Sequence, residues 1–143
     1  MLFRSGSAEL DGSGVLLDSR PVNGRIITFE SSAIGAISPR GYAADPWEYD
    51  RIKDNIRAIS NPVVVDDMCY FVDDDGLLRA TNGISVESPP FSFDLTEYAD
   101  FTADSPVWLT YSPELGSLIV YNPSDAGRYV YVISTGEDRK SVV

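Results

Sequence analysis

Five aspartates crowd one short stretch of the chain: Asp66, Asp67, Asp73, Asp74 and Asp75. Calcium takes about six to eight oxygen ligands, so this density raises the question of a calcium loop. An EF-hand loop places acids or amides at its first, third and fifth positions, glycine at the sixth and glutamate at the twelfth. Setting Asp73, Asp75 and Gly76 at the third, fifth and sixth positions brings Phe71 to the first and Asn82 to the twelfth, and neither fits. What is left is a loose calcium loop or, as the default, a solvated hairpin tip.

Carboxylate pairs can also hydrolyse glycosides when they stand about 5–9.5 Å apart. Asp66, Asp73, Glu87, Glu97 and Glu114 have the right chemistry. Their spacing in sequence carries no information about that distance. The chain has no histidine at all. Ser-His-Asp and Cys-His catalysis are therefore excluded, along with the histidine-based zinc and iron sites. Cys69 is the only cysteine and lies in an apolar run, where a buried inert thiol is expected. Asp11-Gly12-Ser13-Gly14 lacks the Gly-Lys-Ser/Thr ending of a phosphate loop. No cofactor, metal or catalytic residue is assigned, and the chain is expected not to be an enzyme.

The net charge of −11, from 22 acidic and 11 basic residues, bears on partners. Phosphate backbones and anionic lipids attract basic surfaces, so neither sequence-specific nucleic acid nor membrane is an expected partner. No apolar run approaches the roughly 20 residues that cross a bilayer. The N-terminus shows no basic segment followed by an apolar one, so no secretion signal is expected.

Aromatic residues offer a different kind of site. Trp108, Tyr111, Tyr121, Tyr129 and Tyr131 concentrate in the last third of the chain, and with Trp47 they form the candidate interface. Rows of tyrosine on a sheet face suit protein contacts or sugar stacking. The bland alternative is a buried sheet with hydroxyls at its rim.

The elements that must position these residues are mostly strands. Residues 1–14 are rich in Gly and Ser and read as a flexible arm. A single domain spans 15–135, and 136–143 form a charged tail. Asn23-Gly24 is a strong hairpin signal because both residues tolerate positive φ. Arg25 to Phe29 reads as a strand, and 31–44 as a loop. One helix is predicted over about 46–59. Asp45 sits at its N-cap, Pro46 at its first position, and Tyr49, Ile52, Ile56 and Ile59 make an apolar stripe. Strands follow around Val63–Val65, Met68–Val72, Leu77–Thr81, Val107–Tyr111, Ser117–Tyr121 and Arg128–Ser134. The predicted fold is mainly β with one α-helix, built of antiparallel hairpins that are either propeller-blade-like or part of a sandwich.

A repeat adds to this. Gly76 and Gly116, each closing a hairpin, stand 40 residues apart, with Leu78 matching Leu118 and Ala80 matching Val120. A period near 40 with a strand–turn–strand core suits a propeller blade.

The segments Tyr70-Phe71-Val72-Asp73-Asp74-Asp75-Gly76-Leu77-Leu78 and Trp108 to Pro123 resemble blade hairpins in the nozzle or tubular tail proteins of short-tailed bacteriophages. The resemblance spans roughly 63–134. It implies a ring-shaped homo-oligomer at a virion tail, assembled in the host cytoplasm, with an acidic lumen past which DNA slides. The chain is much shorter than a whole nozzle subunit, and a helix at 46–59 has no place in a blade. The reading that results is a structural subunit whose partners are identical copies and other structural proteins. A carbohydrate- or protein-binding module of an adhesin stands second, and a carboxylate glycosidase third.

Overall fold

The computed structural model describes residues 14–41, 46–91, 93–97, 107–121, 130–135 and 140–142. Within them the chain forms three four-stranded antiparallel sheets, each a meander in chain order. The first contains β1 (Leu16–Val22), β2 (Arg25–Glu30), β3 (Ala33–Pro39) and β4 (Trp47–Asp54). The second contains β5 (Val63–Val65), β6 (Met68–Val72), β7 (Leu78–Thr81) and β8 (Val86–Glu87). The third contains β9 (Trp108–Ser112), β10 (Ser117–Tyr121), β11 (Val130–Ser134) and β12 (Lys140–Val142). One short 3-10 turn, Leu95–Glu97, is the only helical element among the described residues. The mainly β reading holds.

The sheets stack face on face, with the second in the middle. Strand β6 shows how. Cys69 and Phe71 point into a core shared with Ile27, Phe29 and Ile34 of the first sheet. Val72 points the opposite way, into a core shared with Leu109, Leu118, Val120 and Tyr131 of the third. Side chains alternate along a strand, so a strand buried on both faces must be apolar at every position. The unbroken run from Met68 to Val72 has that cause. Edge-to-face contact of Phe29 with Phe71, centroids 5.3 Å apart, joins the first pair of sheets. Phe93 against Tyr131, at 5.6 Å, supports the second.

The predicted helix at 46–59 is a strand instead. Trp47–Asp54 pairs with β3 through seven register positions, with a bulge opposite Ile34 and Gly35. Asn55 then takes a left-handed φ of 57°, which a helix interior does not allow. Two physical causes outweigh the apparent stripe. Isoleucine at 52, 56 and 59 loses rotamer freedom in a helix and favours strands. Pairing with β3 also satisfies backbone groups that β3 would otherwise leave open. The three isoleucines of the stripe serve two cores, Ile52 and Ile56 between the first and second sheets and Ile59 between the second and third, while Tyr49 is in neither and bonds to Glu30. Of the predicted caps, Asp45 lies outside the described residues.

The stretch expected to be a loop, 31–44, contains β3, whose small residues Ala33, Gly35 and Ala36 are buried. Small side chains there reflect close packing, not a loop. The N-terminal arm lies outside the described residues except for Gly14. Part of the expected charged tail is β12, paired with β11.

The 40-residue repeat is out of phase with the sheets. Gly76 closes the second hairpin of its meander, between β6 and β7, whereas Gly116 closes the first hairpin of the next, between β9 and β10. Both have positive φ, 84° and 58°, so their likeness reflects shared turn chemistry. The turns equivalent to that at Gly116 are Asn23-Gly24, with φ of 52° and 78°, and the one at Asp66, φ 54°.

Linker residues tie the stack together. Asn61 donates its side-chain Nδ2 to the Leu109 carbonyl at 2.7 Å, and its Oδ1 accepts the Leu109 N–H at 2.9 Å. One amide side chain thus acts as a short piece of strand along β9. Ser60 Oγ accepts the Val72 N–H at 2.9 Å, fixing the same linker to β6.

Candidate functional site

The third sheet ends the stack and has one face turned away from the second. Its inner positions, Leu109, Leu118, Val120, Tyr131 and Ile133, are core. The alternate positions form the outer face, and the strand register arranges them in rows. Tyr121 stands opposite Trp108 on β9 and Val130 on β11. Ile119 stands opposite Thr110 and Val132, and Ser117 opposite Ser112 and Ser134. This face runs from an aromatic row through a β-branched row to a serine row, and none of the nine side chains is charged. Trp108 is 56 % exposed and Tyr121 36 %. In a chain of net charge −11, an uncharged sheet face with an exposed tryptophan is a marked departure from the rest of the surface.

Of the candidate interface residues, the structure brings two together, Trp108 and Tyr121, as direct cross-strand neighbours. Tyr131 is in the core, 1 % exposed. Tyr111 is half-buried and packs against the inner core cluster rather than the outer face. Trp47 is half-buried at the start of β4, opposite Pro39, on the far sheet. Tyr129 lies outside the described residues.

A second surface lies where turn residues of all three sheets meet. A groove of about 480 Å3 is lined by Asn23 of the first sheet, Asp66, Asp67, Tyr70 and Asn82 of the second, and Tyr111 of the third, among others. A narrower extension of about 110 Å3 continues past Met68 and Tyr70 to Glu87 and Pro90. Burial raises the Tyr70 pKa above its ordinary value, with smaller contributions from the charges of Asp66 and Tyr111. Tyr70 also rests against Phe91, ring centroids 5.6 Å apart. Asn82 Oδ1 accepts the N–H groups of Ile84 and Ser85, which fixes this side chain at the groove. Carboxylate acceptors, amide donors and phenols together can hold a polyhydroxylated ligand. Sequence reading missed this groove because its members come from turns far apart in the chain; the only signal was the turn chemistry of Asn23-Gly24 and Asn82-Gly83.

The aspartate-rich hairpin is structural. Asp73 is 1 % exposed. Its Oδ1 accepts the N–H groups of Asp75 (2.9 Å) and Leu77 (3.0 Å), and its Oδ2 accepts Arg79 Nε at 2.7 Å. Asp74 caps a neighbouring segment by accepting the Arg57 N–H at 3.2 Å. These oxygens are engaged by backbone and arginine, and among the described residues no cluster of three acids, cysteines or histidines could hold a metal ion. The other carboxylates named for glycoside chemistry are dispersed: Asp66 in the groove, Glu87 at β8, Glu97 in the 3-10 turn and Glu114 in the β9–β10 turn. Cys69 is fully buried between the first two sheets, and burial pushes its thiol pKa up to about 12.

Known protein families and curated proteins offer no match to this chain.

Proposed function

We propose that the chain is a non-enzymatic structural subunit that holds a larger assembly together, as a component of a bacteriophage tail or neck would. The observation that carries this reading is the outer face of the third sheet: uncharged, graded from Trp108 and Tyr121 to serines, on a strongly acidic chain. Aromatic side chains supply large contact area at low conformational cost and are enriched at protein interfaces. Partners on this reading are identical copies and other structural proteins. Acidic surfaces elsewhere repel polyanions, which suits a particle through which nucleic acid passes without sticking.

Sedimentation and native mass measurement test the reading. A self-associating or partner-bound species is expected; a well-behaved monomer at high micromolar concentration, with Trp108 fully open to quenchers, removes it. The virion part is tested separately by searching gradient-purified particles for peptides of the chain.

A second reading, a carbohydrate-binding module, is favoured by the groove with its phenols, amides and carboxylates. Chemical-shift changes confined to Tyr70, Asn82 and Tyr111 on titration with simple sugars would support it. Their absence across a panel of neutral and amino sugars would count against it.

A further inference from the structure

The groove at the turns carries charge of one sign. Asp66 and Asp67 line its wider part beside Tyr70 and Tyr111, and Glu87 lines the narrower extension that reaches Pro90. No lysine or arginine lines either part. Arg25 comes near, since a Cβ on Gly83 would stand 3.1 Å from its Cδ, but it is not part of the lining. Elsewhere this chain meets its carboxylates with arginine: Asp18 with Arg20, Glu48 with Arg40, Asp54 with Arg51 and Asp73 with Arg79. Asp66 and Asp67 are exposed and, among the described residues, have no such partner.

We infer that this groove receives arginine side chains from an extended segment of a partner protein, with guanidinium groups against the Tyr70 and Tyr111 rings and bonded to Asp66 and Asp67. The inference rests on the assembly reading only in taking a protein as the partner. Three observations carry it. First, the acids are not a requirement of the turn. Asp66-Asp67 joins Val65 to Met68, and the equivalent two-residue turn between Val22 and Arg25 is the neutral Asn23-Gly24. Second, the two adjacent anions share their space with two phenol rings. Tyr70, whose pKa is raised first by burial and then by the Asp66 charge, senses that carboxylate directly. A guanidinium is planar, stacks on aromatic faces and bonds carboxylates through a fork of N–H donors, so it uses both features; an ammonium uses the charge alone. A neutral sugar can use the same acceptors but gains nothing from their charge. Third, acids line both the wide part and the extension, which suits a chain with spaced cations better than a compact ion.

Fluorescence anisotropy tests this on the full chain with labelled, end-capped peptides that alternate glycine with arginine, lysine or citrulline. Citrulline keeps the shape of arginine and lacks its charge. The arginine peptide is expected to bind more tightly than the lysine peptide and to weaken as salt rises, while the citrulline peptide should not bind. Asp66→Asn combined with Asp67→Asn should weaken the arginine peptide by about three- to tenfold. Both positions are exposed, and asparagine tolerates the φ of 54° at position 66, so the fold is spared. Asp50→Asn combined with Asp75→Asn removes equal charge at exposed positions outside the groove and should leave binding nearly unchanged. Tyr111→Leu should weaken binding by about two- to fivefold, and Tyr111→Phe, which keeps the ring face, should not. Thermal melts check folding, and the aspartate variants carry the test should Tyr111→Leu fail to fold.

Equal binding of the arginine and citrulline peptides, or equal weakening by the two double variants, overturns the inference. Lysine binding as tightly as arginine also overturns it, since the groove would then be a negative patch without stacking. Binding of no peptide, with neutral sugars shifting the Tyr70 and Tyr111 signals, overturns it in favour of the sugar reading. The assembly reading stands or falls separately, because Trp108 and Tyr121 do not line the groove.

Discussion

Tyr49 reaches across Gly35 to donate its hydroxyl proton to the Glu30 carboxylate at 2.6 Å. The phenol edge occupies the space a side chain at position 35 would need. A Cβ there would run into Tyr49 Cε2 and stand 2.8 Å from Thr28 Oγ1. Thr28 donates to the same carboxylate oxygen at 3.0 Å. A glutamate with no exposure thus finds two hydroxyl donors on a sheet face, because the glycine beside it lets an aromatic ring lie flat against the strand.

Gly35→Ala is therefore expected to destabilise the fold by about 1–3 kcal/mol through overpacking. Tyr49→Phe keeps the ring and removes one hydrogen bond to a charged group, for a loss of about 1–3 kcal/mol. The two positions are coupled: Gly35→Ala should cost less in the Tyr49→Ala background than in wild type. Urea unfolding of the four proteins measures this. Strict additivity would show that the ring and the missing Cβ do not compete for space.

The Asp73–Arg79 pair anchors the β6–β7 hairpin. Removing the charge with Asp73→Ala leaves a mostly buried guanidinium without its carboxylate, held only by Ser88 Oγ, and two turn N–H groups without their acceptor, and a loss of about 3–5 kcal/mol is expected. Asp75→Ala, at an exposed position of the same turn, should change stability little. Equal effects from both would mean that the acidic tip acts as one charged patch. Calcium at millimolar concentration should leave the melting temperature unchanged on this account, since the Asp73 oxygens are already engaged.

Local chemistry in the sequence was legible where one turn or one strand decides the outcome. Asn23-Gly24, Gly76 and Gly116 read correctly as hairpin turns because positive φ is a property of the residue itself. The continuous apolar run at 68–72 read correctly as a strand. Where pairing with a distant strand decided the outcome, local signals misled. The 46–59 stretch carries a helix-like period, yet its backbone partner is β3, and no local pattern encodes that partner. The candidate site divides in the same way. Trp108 and Tyr121 stood out by type, but that Tyr131 faces inward follows from a register visible only once β10 lies between β9 and β11. The groove, built from three separate turns, had no signature in the linear chain.

Ile56 illustrates how a burial inference survives a wrong element. It is 3 % exposed and packs with Ile27, Phe29, Cys69 and Phe71. Ile56→Ala is expected to cost about 2–5 kcal/mol, because the cavity opens between two sheets that cannot easily collapse onto each other. Ile84→Ala, at a 65 % exposed turn position, should cost far less. A loss below half that of a typical core truncation at position 56 would mean that the first two sheets close around the gap.

Cys69 gives the fold a dependence on alkaline pH. It lies fully buried, and desolvation pushes its thiol pKa from 9.0 up to about 12, against the opposing pull of the Arg20 charge. The unfolded chain releases this proton near the ordinary value, whereas the folded chain holds it until about 12. Between those limits the unfolded state binds fewer protons, so stability is complete below about pH 9 and falls as pH rises toward 12. Tyr70, raised by burial as well, adds to the decline in the same direction. Urea unfolding across this window should show a steady loss for wild type and a shallower one for Cys69→Ala, which retains only the tyrosine contribution. At pH 8 the native thiol should resist Ellman's reagent and react promptly once urea unfolds the chain. Reaction of the native protein at the unfolded rate would mean that the first two sheets separate readily, and the face-to-face core between them would have to be reconsidered.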